Sequence, residues 1–254
     1  MDAVQSPVPQ NRIMEKVNEY MSRRDYPGVE RLLLYWLNEA EIRRDFRGKL
    51  MILGELIGHY RKTGEKDRGH ARIREALELL EKEGYEDTIS GAVTLINAGT
   101  AYNAYEENGE ALPLFEKARE ILLSCKSVDQ SLLGGLYNNM GLTLAALGRY
   151  EEAASAFLEA IAIMSGVPGG QLEQAVSLLN LADTYSLHYG MPQAEKEVFD
   201  LLDQAERIFM NPDIPRNGYY AYVCSQSAPS FDHYGYFLTA EQLRQSAEEI
   251  YERA

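Results

Sequence analysis

The sequence predicts an all-α fold of about six antiparallel helix pairs, stacked side by side as one solenoid. Two observations predict it. A pattern of small and large apolar residues returns along the chain at intervals of 40–42 residues, lengthening to 46 before the last copy. Turn-forming glycines and prolines separate the helical stretches. A repeat of this length is typical of a helix–turn–helix unit that buries its apolar face against its neighbours.

The segment "LYNNMGLTLAALGRYEEAASAFLEAIAIM" at 136–164 shows the pattern most clearly. Gly141 is the small residue of its first helix, and Gly148 lies in the turn. Ala153 is the small residue of its second helix, followed by Phe157 and Ala160. Small residues allow two helices to cross closely, whereas large apolar residues fill the space between neighbouring units.

The same two small or apolar positions recur in each predicted unit. In chain order they are Val17 and Val29, Ile57 and Gly69, Gly99 and Ala111, Gly141 and Ala153, Ala182 and Ala194, and Ala228 and Ala240. They predict one solenoid over 11–254, with repeats at approximately 11–41, 48–83, 87–124, 129–166, 171–209 and 217–252. Residues 1–10 are expected to form a flexible N-terminus.

The last predicted repeat contains an unusual first helix. The stretch "YYAYVCSQSAPSFDHYGYFLTA" is rich in aromatic residues, and Pro229 falls where a helix interior is expected. Because proline lacks a backbone N–H, we expect this helix to bend or to begin anew near Ser227. Its aromatic residues are expected to close one end of the core, or alternatively to shape one end of a groove.

Charge and cysteine content exclude several classes of partner. The chain has 25 Lys and Arg against 39 Asp and Glu, a net charge of −14, which argues against nucleic acid and anionic membranes as partners. Cys125 and Cys224 are far apart in the sequence, which indicates no disulfide framework.

The first residues lack the features of a signal peptide, and no apolar stretch approaches the length of a membrane span. We therefore expect a cytoplasmic protein.

No catalytic or metal-binding constellation is evident. His59, His70, His188 and His233 are isolated, with no His or Cys at metal-ligand spacing. The chain contains neither a GxxxxGK[ST] loop nor a GxSxG motif. The sequence therefore predicts a non-enzymatic protein without a metal or cofactor.

The small–large signature in "NNMGLTLAALGRYEEAASAFLEA" and "YRKTGEKDRGHARIREALELL" resembles the tetratricopeptide repeat (TPR) family. The resemblance covers the chain from about Asn11 to Tyr251. With a period of about 42 residues, and with "LYNNMG", "LLNLAD" and "LINAGT", it is similar to the long-repeat branch of kinesin light chains and to bacterial TPR proteins. The resemblance implies a right-handed superhelix of helix pairs with a concave inner surface.

One position of the first helix is polar in every predicted repeat. Asn139 lies two residues before Gly141, and the equivalent residues are Glu15, Glu55, Asn97, Asn180 and Gln226. In the family this position faces the concave groove, so the resemblance implies a ladder of side chains able to pair with a peptide backbone. One or two turns further on, Thr100, Asn103 and Asp183 are further groove candidates. The alternative is that these asparagines bond neighbouring helices and fix the angle between repeats.

The predicted function is that of a non-enzymatic module that binds a protein or peptide segment in the groove. One alternative is a sensor or regulator of a short signalling peptide, and another is a scaffold that self-associates. The sequence leaves open the identity of the ligand and the oligomeric state.

Overall fold

The computed structural model describes residues 6–253. Over this range the secondary structure consists of twelve helices without a strand, which confirms the predicted all-α helical-repeat fold. The chain divides into two compact units, Met1–Lys126 and Ser127–Ala254, and each contains three helix pairs.

The first unit is built from α1 to α6. Their bounds are α1 Gln10–Ser22, α2 Tyr26–Arg43, α3 Phe46–Thr63, α4 Lys66–Glu83, α5 Ile89–Ala104 and α6 Asn108–Ser124. Each helix packs against the next, and α3 also contacts α5, so that the first helices of the second and third pairs lie side by side. Gly64 and Gly84 end α3 and α4 with positive φ angles, a conformation that glycine adopts without strain.

The second unit is built from α7 to α12. Their bounds are α7 Gln130–Ala146, α8 Tyr150–Ser165, α9 Gln171–Tyr189, α10 Met191–Phe209, α11 Gly218–His233 and α12 Phe237–Glu252. Helix α9 contacts α7 on one side and α11 on the other, so three first helices again lie side by side.

The repeated small and large residues form the helix crossings that the sequence predicts. Ala153, Phe157 and Ala160 have no exposed surface. A Cβ atom at Gly141 would lie 2.6 Å from Cε1 of Phe157, so only glycine allows this close approach. The first unit repeats the arrangement, because a Cβ atom at Gly99 would lie 2.7 Å from Cε1 of Phe115.

Pro229 does not restart α11, which corrects one of the two outcomes expected for this helix. The helix is continuous from Gly218 to His233 with Pro229 in its interior. Pro229 is exposed, so its ring takes no space in the core. Flanking buried residues Ala228 and Phe231 pack in the same apolar cluster as α9, α10 and α12, and this packing offsets the lost backbone hydrogen bond.

The connection between α10 and α11 is anchored to the core. Ile214 is buried within it, and Arg216 donates from Nη1 to the carbonyl of Phe209 at 3.0 Å. The Arg216 guanidinium also lies 4.0 Å from the ring centroid of Tyr220, whose hydroxyl donates to the same carbonyl. These contacts position the start of α11.

The expected flexible segment at 1–10 lies partly outside the described residues. Within the described part, Val8 is 3% exposed and its backbone N–H donates to Oδ2 of Asp45 at 2.9 Å. The other oxygen of Asp45 accepts from the backbone N–H of Gly48 at 3.0 Å and caps α3. Asp45 therefore joins the N-terminal segment to a helix start.

Asp45→Ala is expected to lower the free energy of unfolding by about 1–2 kcal/mol, because it removes a helix cap and the bond to Val8. Asp25→Ala is the matched control. The Asp25 side chain caps α2 by accepting from the backbone N–H of Gly28, which is the one side-chain hydrogen bond described for it. Urea denaturation of the full chain measures both variants. Equal losses would contradict an energetic contribution from the Val8 bond.

Candidate functional site

The first helices of the second unit line a cavity of about 520 Å³ that is open to solvent on one side. Most of its wall comes from α7, α9 and α11, with Met164 of α8 at one side. The lining residues are Gly134, Gly135, Asn138, Asn139, Leu142, Met164, Glu173, Val176, Ser177, Leu179, Asn180, Tyr219, Tyr222, Val223, Gln226, Ser227 and Ser230. The surface therefore combines side-chain amides and hydroxyls with two tyrosine rings and a few aliphatic groups.

A hydrogen-bond network joins α7 to α9 at this cavity. Oδ1 of Asn138 accepts from Nδ2 of Asn180 at 3.0 Å and from the hydroxyl of Ser177 at 3.0 Å. The Ser177 hydroxyl also lies 3.0 Å from the backbone carbonyl of Glu173. Asn138 and Asn180 thus help to fix the relative position of the two helices. A hydrogen bond between neighbouring first helices is what the structural alternative expects, and the choice between that role and a groove role for Asn180 stays a prediction.

A carboxylate–tyrosine pair joins α9 to α11 at the same cavity. The hydroxyl of Tyr219 donates to Oε1 of Glu173 at 2.8 Å. Burial, and then this bond to the carboxylate, raise the pKa of Tyr219 above its usual value, so the hydroxyl stays protonated as a donor. Glu173 lies in the first turn of α9, where a negative charge interacts favourably with the helix dipole.

Three of the predicted groove residues line this cavity, namely Asn139, Asn180 and Gln226. Gln226 is exposed, whereas Asn139 and Asn180 are half-buried. Asp183 lies elsewhere on α9, where Oδ1 accepts from the hydroxyl of Tyr234 at 2.8 Å. Burial raises the pKa of Asp183, and the Tyr234 hydrogen bond opposes that shift.

The remaining predicted residues belong to the first unit. Glu55 and Asn97 line one cavity there, of about 380 Å³, between α3 and α5. Burial raises the pKa of the Glu55 carboxyl. Thr100 and Asn103 are half-buried on α5, and the Thr100 hydroxyl donates to the carbonyl of Ile96 at 2.7 Å. Five of the eight predicted residues thus line two local cavities, one in each unit, whereas Thr100, Asn103 and Asp183 line neither.

Among the residues of the cavity wall that were not predicted from the sequence as site residues are Asn138, Glu173, Tyr219 and Tyr222. A signal for the last three was present in the helical period. Glu173 precedes Asn180 by seven residues, and Tyr219 precedes Gln226 by seven. Tyr222 precedes Gln226 by four. Residues four and seven apart share one face of a helix, so the face that carries the predicted ladder extends toward the N-termini of α9 and α11.

Neither a metal-binding cluster nor a membrane-crossing helix occurs among the described residues. Within residues 6–253, no group of three or more His, Cys, Asp or Glu side chains is placed to hold a metal ion. Across the same range, no helix combines the length and the apolar character that crossing a membrane requires.

Comparison with known proteins finds a family match over part of the chain. The tetratricopeptide repeat family model matches residues 132–200, which include nearly all of α7, the whole of α8 and α9, and about the first half of α10. Protein KINESIN LIGHT CHAIN-RELATED 1 of Arabidopsis thaliana is 34% identical over 105 residues, which cover 40% of this chain. The match spans only 17% of that relative's length.

Solved structures show a likeness of fold. BtubC (BKLC) from P. vanneervenii superimposes with a TM-score of 0.68 at 20% identity, covering 78% of each chain. A putative kinesin light chain of Podosopora anserina, with nearly identical TPR-like repeats, gives a TM-score of 0.58 at 17% identity, covering 81% of this chain and 96% of that one. Residues 132–200 thus match the tetratricopeptide repeat family, and the fold of the chain is similar to that of kinesin-light-chain-like repeat proteins.

Proposed function

We propose that the chain is a non-enzymatic module that binds a protein or peptide segment, and that the cavity between α7, α9 and α11 is its binding site. Tetratricopeptide repeats generally mediate contacts between proteins. The observation that carries the proposal is the composition of the cavity wall. Side-chain amides from three successive first helices meet there beside the half-exposed rings of Tyr219 and Tyr222.

This composition suits an extended polypeptide. An amide side chain offers both donors and acceptors, which matches the alternating N–H and C=O groups of a peptide backbone. Leu142 and Val176 supply apolar contacts for the peptide's side chains. Tyrosine rings supply a large contact area at low cost in conformational entropy.

Gln226→Ala is expected to weaken peptide binding about tenfold while leaving the melting temperature nearly unchanged. Gln226 is exposed on α11, so its removal creates no cavity in the core, but a peptide backbone group opposite it loses a partner. The probe is a peptide enriched from a displayed library of short random peptides against the full chain. Calorimetric titration measures its affinity.

Gln242→Ala is the matched control. Gln242 is exposed on α12 and is not part of the cavity wall, so its replacement should leave the affinity within about twofold. Failure of the library to yield any specifically bound peptide would contradict the proposed function. Equal effects of the two glutamine variants would contradict the location of the site.

A further inference from the structure

The second unit carries most of the net negative charge of the chain. Residues 127–254 contain six Lys or Arg and 17 Asp or Glu, a formal charge of −11 out of the total −14. Several of the six cations already interact with groups of their own unit: Arg149 with Glu152, Lys196 with Asp200, Arg244 with Asp232, and Arg253 with Glu249. The unit as a whole therefore attracts cationic partners and repels acidic ones.

The cavity has the same sign of charge as the unit around it. Among the described residues that line it, Glu173 is the one carboxylate, and there is no Lys, Arg or His. An acidic side chain of a segment bound there would have no cationic residue of the cavity wall to pair with. A basic side chain, in contrast, finds one carboxylate and several amide and hydroxyl oxygens.

Glu173 itself is incompletely satisfied. Its Oε1 accepts from Tyr219, but Oε2 is buried and has no hydrogen-bond partner among the described residues. A buried carboxylate oxygen without a partner costs free energy, and such an atom beside a cavity indicates a missing donor. Tyr219, which donates to the other oxygen, is itself 49% exposed, so the Glu173–Tyr219 pair lies at the surface of the cavity.

We propose that this cavity receives a lysine or arginine side chain of the bound segment, with Glu173 as its counter-charge and Tyr219 and Tyr222 as aromatic faces beside it. The inference rests on the proposed function and adds the chemistry of the partner, a basic peptide segment. Cations bind favourably over tyrosine rings, and a donor to Oε2 completes the hydrogen bonding of the carboxylate.

The test uses the same library selection, with the full chain as bait. Peptides enriched on the wild-type chain are expected to carry Lys or Arg at one shared position. Replacing that residue of the peptide by Gln should weaken binding about tenfold or more, because a charge-assisted hydrogen bond is lost. This measurement leaves the protein unchanged and does not depend on the folding of any variant.

Glu173→Gln identifies the counter-charge on the protein. The amide oxygen of Gln still accepts from Tyr219, but the negative charge is removed. The variant should bind the basic peptide about tenfold more weakly and should bind the Gln-substituted peptide as the wild type does. Glu159→Gln is the control, since it removes one exposed charge of the same unit outside the cavity wall and should change affinity no more than about twofold.

The possible results separate this inference from the proposed function. Peptides that depend on Gln226 but show no enrichment of Lys or Arg would overturn the inference and leave the proposed function intact. The inference also fails if Glu159→Gln weakens binding as much as Glu173→Gln, because the effect would then belong to net charge. A library without any specifically bound peptide would overturn both.

Discussion

Phe157→Ala is expected to lower the free energy of unfolding by about 3–5 kcal/mol. Phe157 has no exposed surface, and its ring lies against the backbone of α7 at Gly141. The ring fills the space between α7 and α8, the two helices of one repeat. Alanine would leave a cavity there, because neighbouring helices that are held by their own crossings collapse only partly into the space.

The measurement is urea denaturation of the full chain, followed by circular dichroism. Leu158→Ala is a matched control, because Leu158 is the next residue of the same helix and is 51% exposed. Its replacement should change the free energy of unfolding by about 0.5 kcal/mol or less. A loss below about 1 kcal/mol for Phe157→Ala would contradict the role of its ring as the centre of the repeat.

The helix crossings could be predicted from the sequence because their determinants are local and repeated. A small residue in one helix and an aromatic ring in the next recur at fixed spacing, as Gly99 and Phe115 do in one repeat and Gly141 and Phe157 in the next. Each repeat predicts the same contact, so the recurrence strengthens the prediction. The structure confirms the contact in both repeats.

Which of Asn138 and Asn139 bonds to the neighbouring first helix could not be predicted in this way. Adjacent residues of a helix differ in direction by about 100°, and both of these side chains reach the cavity wall. Which amide bonds Asn180 depends on the rotation of α9 relative to α7, and this rotation is set by packing over the whole length of both helices. The repeat pattern points to Asn139, whereas Asn138 makes the described bond to Asn180.

The Glu173–Tyr219 pair was missed for a related reason. The two residues are 46 positions apart and lie on helices separated by α10 and a long connection. The combination of Glu173 in α9 with Tyr219 in α11 occurs once, because the equivalent residues of α5 and α7 are Ser90 and Leu132. A repeat pattern therefore locates the shared core well, but it does not detect a contact that occurs once.

Gly141→Ala is expected to lower the free energy of unfolding by about 1–3 kcal/mol, although alanine favours helices more than glycine does. The added Cβ atom would lie 2.6 Å from Cε1 of Phe157, so the ring or the helix must shift. Gly135→Ala is a control within the same helix, because no atom lies within 4 Å of the Cβ position there. It should instead stabilise the protein by about 0.5–1 kcal/mol, since alanine loses less backbone entropy on folding.

The two glycine variants thus add the same methyl group to α7 with expected changes of opposite sign in the free energy of unfolding, and urea denaturation measures both.

Combining Gly141→Ala with Phe157→Ala tests the cause of the difference. With the ring removed, the methyl group at position 141 has space, so the double variant should be more stable than the sum of the two single losses predicts. Strict additivity would mean that the loss at Gly141 does not arise from contact with Phe157. A stabilising Gly141→Ala variant would contradict the close crossing of α7 and α8 itself.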